Sequence, residues 1–294
     1  MYIGRFAPSP TGELHFGSLL AALASYLDAK SNNGLWLLRI DDIDPPRELP
    51  GASDTIIAML QAFGMQWDQD IVFQSERSHL YQQALNQLQQ ADVSYPCYCS
   101  RKEIKQRTSH SRYDRYCLSN KTTTTTIHTH CAWRFKNDTS SFIWQDTILG
   151  EQRIEHSENA DFILKRSDSL WAYQLAVTVD DAAMGITHVV RGRDLLMEAT
   201  KQLQLAQALN LPTPAFSHIP LVKNDSGQKL SKQNLAPALS TTQINHQLYT
   251  ALQMLGQKTN DKFKNAKITD ILLQATQDWN PATIPLEYST QIRT

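Results

Sequence analysis

Three groups of residues in this chain have types and spacings that could do chemistry. The first is the string Arg5-Phe6-Ala7-Pro8-Ser9-Pro10-Thr11-Gly12-Glu13-Leu14-His15-Phe16-Gly17-Ser18. A strand end, a tight turn, a histidine and small residues at a helix start form a phosphate-binding arrangement. Helix N-terminal amides favour anions, and Gly17 lets a large ligand approach the backbone. A proline-rich turn with an incidental histidine would read the same way. The second group is Lys229-Leu230-Ser231-Lys232-Gln233, preceded by Asn224-Asp225-Ser226-Gly227. Two lysines in a glycine-flanked segment could close over a polyphosphate; the bland alternative is a solvated basic loop. The third is the cysteines, at positions 97, 99, 117 and 131. Cys97-x-Cys99 with the more distant Cys117 is a spacing that zinc uses, since thiolates suit its tetrahedral shell. Reduced core thiols show it too. His128, His130 and Cys131 are rival fourth ligands.

The elements that position these groups follow from periodicity. Tyr2, Ile3 and Phe6 read as a strand broken by Pro8, Pro10 and Gly12. Leu19, Leu20, Leu23, Tyr26 and Leu27 recur at helical spacing, with Gly34 closing that helix. The continuous apolar run Leu35-Trp36-Leu37-Leu38-Arg39-Ile40 predicts a strand buried on both faces. Helical patterns follow over Asp54–Phe63 and Tyr81–Ala91. Strand and helix alternating at this pace predict an α/β fold with a doubly wound parallel sheet. The alternation breaks at Cys97–Lys136, which carries nine Lys/Arg against Glu103 and Asp114, a local surplus of seven positive charges, and the run Thr122–Thr126. It resumes near Phe162-Ile163-Leu164, with Thr187–Val190 as another core strand and Leu195–Leu209 as a helix. Ile244–Leu255 and Ile268–Trp279 are the best helical segments of the remainder. The expected organisation is a first half of the sheet domain at 1–91, a basic Cys-containing insertion at 92–136, a second half at 137–235 and a small helical region at 236–294.

A length of 294 residues suggests two domains, or one with an insertion, at about 150 residues per domain. Lys plus Arg is 28 and Asp plus Glu is 29, so bulk charge cannot serve as a general nucleic-acid glue, although a local basic patch can form. A hydrophobic content of 41% excludes a disordered chain. Four cysteines cannot staple a fold of this size, which excludes a disulfide scaffold. Arg5 and the prolines interrupt the N-terminus where a secretory peptide needs an apolar stretch. The best apolar run, Phe16–Leu27, contains two serines and falls short of the ~20 residues that span a bilayer. The expectation is a soluble, cytoplasmic protein with no membrane partner.

The two phosphate-type strings, in this order on a sheet of this kind, resemble the HIGH and KMSKS signatures of class I aminoacyl-tRNA synthetases. RFAPSPTGELHFGS, RIDDIDPPR (Arg39–Arg47), VVRGRDLL (Val189–Leu196) and HIPLVKNDSGQKLSK (His218–Lys232) together resemble the catalytic domain of glutamyl-tRNA synthetases, which implies a Rossmann-like sheet. Discriminating members of that family continue into long helical domains that read the anticodon. Here about sixty residues follow Lys232, and this architecture resembles the truncated glutamyl-Q tRNA(Asp) synthetases. That family activates glutamate with ATP and attaches it to the queuosine base in the anticodon of tRNA(Asp). Two readings compete with it: a minimal discriminating glutamyl-tRNA synthetase, and a silent paralogue that binds RNA or amino acids.

The resemblance implies residue roles. His15, Lys232 and Lys229 would serve the phosphates as catalytic groups, with Gly12, His15, Gly17, Ser18 and Lys232 binding ATP. Arg5, Ala7, Ser9, Asp41, Tyr173 and Arg191 would bind glutamate. Arginine suits a carboxylate because its planar fork grips both oxygens. Asp41 stands where the family has glutamate, matched to the substrate ammonium but one methylene shorter. Val177 stands where discriminating enzymes have asparagine. Arg39, Asp42, Asp44 and Arg47 are expected to form ion pairs holding their loop, and Asp180 and Asp181 to be structural. Cys97, Cys99, Tyr113 and Cys117 match the family's zinc pattern, so the implied cofactors are one structural zinc and magnesium accompanying ATP. The implied partners are ATP, L-glutamate and queuosine-bearing tRNA(Asp), met by a monomer.

Overall fold

In a computed structural model, which describes residues 1–108, 113–120, 131–139, 141–155, 160–221 and 238–287, the chain opens with β1 (Ile3–Phe6), α1 (Phe16–Ser31) and β2 (Leu35–Ile40). The α1–β2 connection turns at Asn33, whose φ of 51° lies in the left-handed region. Gly34 closes the helix as expected, its amide donating to the Ala29 carbonyl at 2.9 Å, and its missing side chain is needed as well: a Cβ there would sit 2.5 Å from the Tyr2 carbonyl oxygen. The apolar run of β2 has a physical reason. Trp36, Leu38 and Ile40 enter one core, while Leu37 enters another on the opposite face.

Next come α2 (Ala52–Ala62), β3 (Val72–Phe73) and α3 (Ser78–Gln90), then β4 (Ser94–Cys97), α4 (Arg101–Arg107), α5 (Tyr116–Ser119) and β5 (Ala132–Phe135). A hairpin of β6 (Ser141–Asp146) and β7 (Gly150–Glu155) precedes β8 (Ile163–Lys165), α6 (Tyr173–Ala183), β9 (His188–Gly192), α7 (Leu196–Leu209) and β10 (Ala215–Ile219). Helices α8 (Ile244–Met254) and α9 (Ile268–Gln277) follow.

Strands β1, β2 and β3 are parallel neighbours in that order. A second group runs β7-β6-β10-β9, parallel except for the β7 edge. The Thr187 amide donates to the Ile3 carbonyl at 2.9 Å, and the Ile3 amide donates to Thr187 Oγ1 at 2.8 Å. These bonds bring β9 edge to edge with β1. The chain therefore winds outward in both directions from the β1/β9 boundary. In open α/β sheets the crevice beyond the strand C-termini at such a reversal is where ligands bind.

Helix α1 covers one face, joined in the same core by Leu248, Leu252, Ile271 and Leu272 of α8 and α9. Helices α3, α6 and α7 build a second core with Phe135, Phe162 and Leu164. The 162–164 segment, read from the sequence as the main alternation resuming, instead pairs antiparallel with β5 in a separate β4-β5-β8 sheet. A three-residue strand carries too little pattern to reveal its partner. Among the described residues no helix is long and apolar enough to cross a membrane.

Candidate active site

At the ends of β1 and β9 lies a cavity of about 490 Å³. The turn after β1 is held by its backbone: the Asp41 amide donates to Pro8 and the Leu49 amide to Pro10, both at 3.0 Å, and the Thr11 amide donates to Ser9 at 2.8 Å. Gly12 has φ of 129°, a conformation a side chain would strain. His15 is the N-cap of α1, and its Nδ1 accepts the Ser18 amide at 3.2 Å. That bond places the ring proton on Nε2. His15, Gly17 and Ser18 line the cavity, and the first turn of α1 holds no acidic residue. Its amides and dipole therefore favour an anion.

Arg5 and Arg191 line the same cavity and are both buried, but their charges are met differently. Arg5 donates to both oxygens of Asp181, at 3.3 and 3.2 Å. Arg39 bonds its loop neighbour Asp41 at 2.7 Å and also Asp181 at 2.6 Å, so the expected pairing within the loop is joined by a second one that ties the loop to α6. Burial alone would raise Asp181, yet the Arg5 and Arg39 guanidinia outweigh it and hold the carboxyl below its ordinary range. At Asp41 burial wins over Arg39 and pushes the carboxyl up to about 6. Arg47 pairs with Asp44 as expected, and Arg166 joins it; Asp42, expected in an ion pair, has none among the described residues and accepts instead from the Ser75 amide and hydroxyl. Asp180 is structural in the same sense, bound by Gln74, Arg77 and Tyr81.

Among the described residues the partners of Arg191 are all neutral. Its Nε donates to His218 Nε2 at 3.0 Å, Nη1 to Gln202 Oε1 at 2.9 Å and Nη2 to the Leu195 carbonyl at 3.1 Å. Burial lowers its pKa, which is the mark of a buried cation lacking an adjacent carboxylate.

A second lobe of about 470 Å³ shares Ser9, Thr11, Arg47 and Tyr173 with the first. Asp41 lines this lobe with Arg101, Arg166 and Trp171, whereas Ala7, Arg5 and Arg191 line the first. Tyr173, at the start of α6, belongs to both. Val177 is buried and lines neither. Lys229, Ser231 and Lys232 lie outside the described residues. The described residues bracketing them both adjoin the first lobe: Leu221 lines it, and Ala238 pairs antiparallel with His15.

The segment 97–117 brings three thiols together. Ligand atoms of Cys97, Cys99 and Cys117 lie within 4.8 Å of one another, with the last two sulfurs 3.4 Å apart. A tetrahedral zinc at about 2.3 Å from each sulfur holds them about 3.8 Å apart, so the cluster fits the metal. The Tyr113 hydroxyl lies 3.9 Å from Cys99 Sγ and accepts the Cys117 amide at 2.8 Å. Burial pushes the Cys99 thiol up to about 11; at Cys117, bonds from Tyr113 and the Tyr98 amide outweigh burial and lower it. Cys131 is outside this group, and His128 and His130 lie outside the described residues. Asp161 ties this region together, binding Arg115 at 2.6 Å, the Asn137 amide at 2.8 Å and Tyr95 at 2.5 Å.

The surplus positive charge of 97–136 is unevenly paired. Arg107 pairs with Asp114, Arg115 with Asp161 and Asp138, and Arg134 is buried over the Tyr113 ring. Arg101, Lys102 and Lys105 of α4 are exposed and make no ion pair among the described residues. Sequence reasoning missed Asp161, and it missed the pair Asp146–His218 beside Arg191. The only available signal for the latter was a histidine inside a matched motif.

The model of the family described as tRNA synthetases class I (E and Q), catalytic domain, matches residues 3–272. Curated relatives are similar over almost their whole length. The glutamyl-Q tRNA(Asp) synthetase of Idiomarina loihiensis is 46% identical over 95% of this chain and 97% of its own. That of Neisseria meningitidis serogroup C is 42% identical over 97% and 98%. Among solved structures, the glutamate-tRNA synthetase from Elizabethkingia anophelis shares the fold, with a TM-score of 0.78 at 24% identity, over 98% of this chain and 68% of that one. The chain belongs to the class I tRNA synthetases of the E and Q type, and within them to the glutamyl-Q tRNA(Asp) synthetases.

Proposed function

We propose that this chain activates L-glutamate with ATP and transfers it to the queuosine base of tRNA(Asp) in the cytoplasm. The observation that carries the chemistry is that an anion-favouring helix N-terminus and a buried guanidinium with no carboxylate partner among the described residues open into one cavity. Such a site takes two anions at once, a polyphosphate and a carboxylate. The α-carboxylate of glutamate attacks the α-phosphorus of ATP in line; the new O–P bond forms as the bond to pyrophosphate breaks. No enzyme nucleophile is needed, so catalysis is positioning plus stabilisation of charge on the departing phosphates. His15 Nε2–H donates to those phosphates, Gly12, Gly17 and Ser18 cradle the nucleotide, and Lys232, with Lys229 second, follows the β- and γ-oxygens. Magnesium enters with ATP.

Arg191 takes the side-chain carboxylate of glutamate, because Arg5 is already neutralised by Asp181. Arg5, Ala7 and Ser9 shape the rest of the amino-acid site, and Tyr173 supplies a hydroxyl between the lobes. Asp41 faces the substrate ammonium, through a water where its shorter reach requires one. This role fixes a pH dependence. Below about 6 Asp41 is protonated and loses its attraction for the ammonium, so kcat/KM for glutamate should fall as pH drops through that value. Asp41→Asn should abolish this acid limb along with most of the activity. An unchanged limb in the variant removes Asp41 from the ammonium site.

Cys97, Cys99, Tyr113 and Cys117 would hold one zinc, which when bound would lock β4 to the turn before α5. The cations of α4, which make no ion pair among the described residues, support reading this segment as the RNA-facing part, and Arg101 also lines the second lobe. The test is ATP–pyrophosphate exchange with glutamate in RNA-free enzyme, alongside transfer to tRNA. Exchange should proceed without RNA and tolerate salt. Transfer should weaken steeply with salt, and Lys102→Glu with Lys105→Glu should lower transfer alone. Strictly tRNA-dependent exchange, or salt-tolerant transfer, contradicts this division.

A further inference from the structure

Three adjacent strands carry a row of polar side chains that the reaction as described does not use. In the parallel register His218 of β10 lies directly opposite Arg191 of β9, and Phe216 lies opposite Asp146 of β6. Asp146 and His218 are fully buried. Asp146 Oδ1 accepts the amides of Ile148 at 2.9 Å and Leu149 at 2.8 Å, and its Oδ2 lies 2.6 Å from His218 Nδ1. Arg191 Nε can only donate, so His218 Nε2 must accept, and the ring proton must sit on Nδ1 facing Asp146. The carboxylate thus fixes the tautomer, and the tautomer presents a lone pair to the guanidinium. Burial keeps His218 neutral by lowering its pKa, and its ring stacks on Phe216, which also underlies Arg191.

Gln202 adds a second hold. Its Oε1 accepts from Arg191 while its buried Nε2 has no partner among the described residues. A buried amide nitrogen left unsatisfied is unfavourable, and here the side chain is oriented for the arginine at that cost. Held at Nε, Nη1 and Nη2, the guanidinium keeps one N–H on each Nη for a ligand in the cavity it lines.

We propose that the Asp146–His218 pair is a positioning device that, with Gln202, sets the register of Arg191 and thereby the enzyme's discrimination of glutamate from its shorter homologue aspartate. The proposal rests on the reading of Arg191 as the carboxylate partner. A fixed arginine reaches a carboxylate at one chain length; a loosened one tolerates others and binds the correct one less well.

The experiment uses the full chain in glutamate-dependent pyrophosphate exchange. Asparagine mimics the Nδ1 side of histidine and glutamine the Nε2 side. His218→Asn keeps a donor for Asp146 and loses the acceptor for Arg191. It should raise the KM for glutamate about 10- to 100-fold and narrow the glutamate-over-aspartate preference, leaving the KM for ATP and the Tm near the parent's. His218→Gln should return the glutamate KM to within about threefold of the parent. A merely structural histidine would move Tm and both KM values together. An unchanged glutamate KM in His218→Asn, or a glutamine variant no better than the asparagine one, overturns the proposal. If His218→Asn does not fold, Gln202→Met reads the same quantity, and an unchanged glutamate KM there is equally fatal. A parent enzyme inert toward glutamate would sink the activity itself, a result distinct from an active parent with an indifferent His218.

Discussion

Lys232→Ala should lower glutamate-dependent ATP–pyrophosphate exchange by ~10²-fold or more, as removal of one preorganised transition-state donor does. The reaction places no covalent demand on the protein, so its barrier is lowered by groups that meet charge as it moves onto the leaving pyrophosphate. On the proposed reading His15, the N-cap of α1, would supply one such group. The bracketing residues Leu221 and Ala238 adjoin the same cavity, which supports assigning the lysines of the intervening segment to the far phosphates. The loss should appear in kcat more than in the KM for glutamate, because the contact strengthens as the pyrophosphate departs. Lys229→Ala should cost less. Equal exchange rates in Lys232→Ala and the parent would remove this lysine from the mechanism.

Arg191→Ala should separate the two substrates. ATP binding, read by the thermal shift it induces, should stay close to the parent, while glutamate activation falls by roughly 10²- to 10³-fold, the scale of truncating one partner of a buried charge pair. The contrast with Arg5 is what makes the test specific. Arg5 shares Asp181 with Arg39, so Arg5→Ala leaves a buried carboxylate undercompensated and should lower Tm as well as activity. Arg191 answers no carboxylate among the described residues, and its removal strands only neutral groups, His218 and Gln202. Should the parent enzyme activate glutamine or aspartate better than glutamate, the assignment of Arg191 is wrong.

What could be read from the chain follows the range of the interactions involved. The strand β1, the helix α1 and the double-faced β2 were legible because their patterns are local and their apolar residues commit to cores on known faces. The cysteine cluster was legible too, since three thiols within twenty-one residues need only one turn to converge. The helix-closing role of Gly34 was legible, but the close packing against Tyr2 that demands its missing side chain was not. The second partner of Arg39 was hidden for a related reason: Asp41 is close in sequence, but Asp181 becomes a partner only once α6 packs against the sheet. The Asp146–His218–Arg191 row was invisible because strand order, not sequence, makes these residues neighbours. They are separated by 72 and 27 positions, and the β6-β10-β9 register that aligns them comes from folding alone.

The central claim concerns where the glutamate goes, and one measurement addresses it most directly. Labelled glutamate, ATP and enzyme are incubated with tRNA(Asp) carrying queuosine and, in parallel, with the same tRNA lacking it. Each product is then digested to nucleosides to locate the label. The account predicts label on the queuosine nucleoside of the modified tRNA and none on the tRNA without it. Label on the 3′-terminal adenosine, in either tRNA(Asp) or tRNA(Glu), would contradict it.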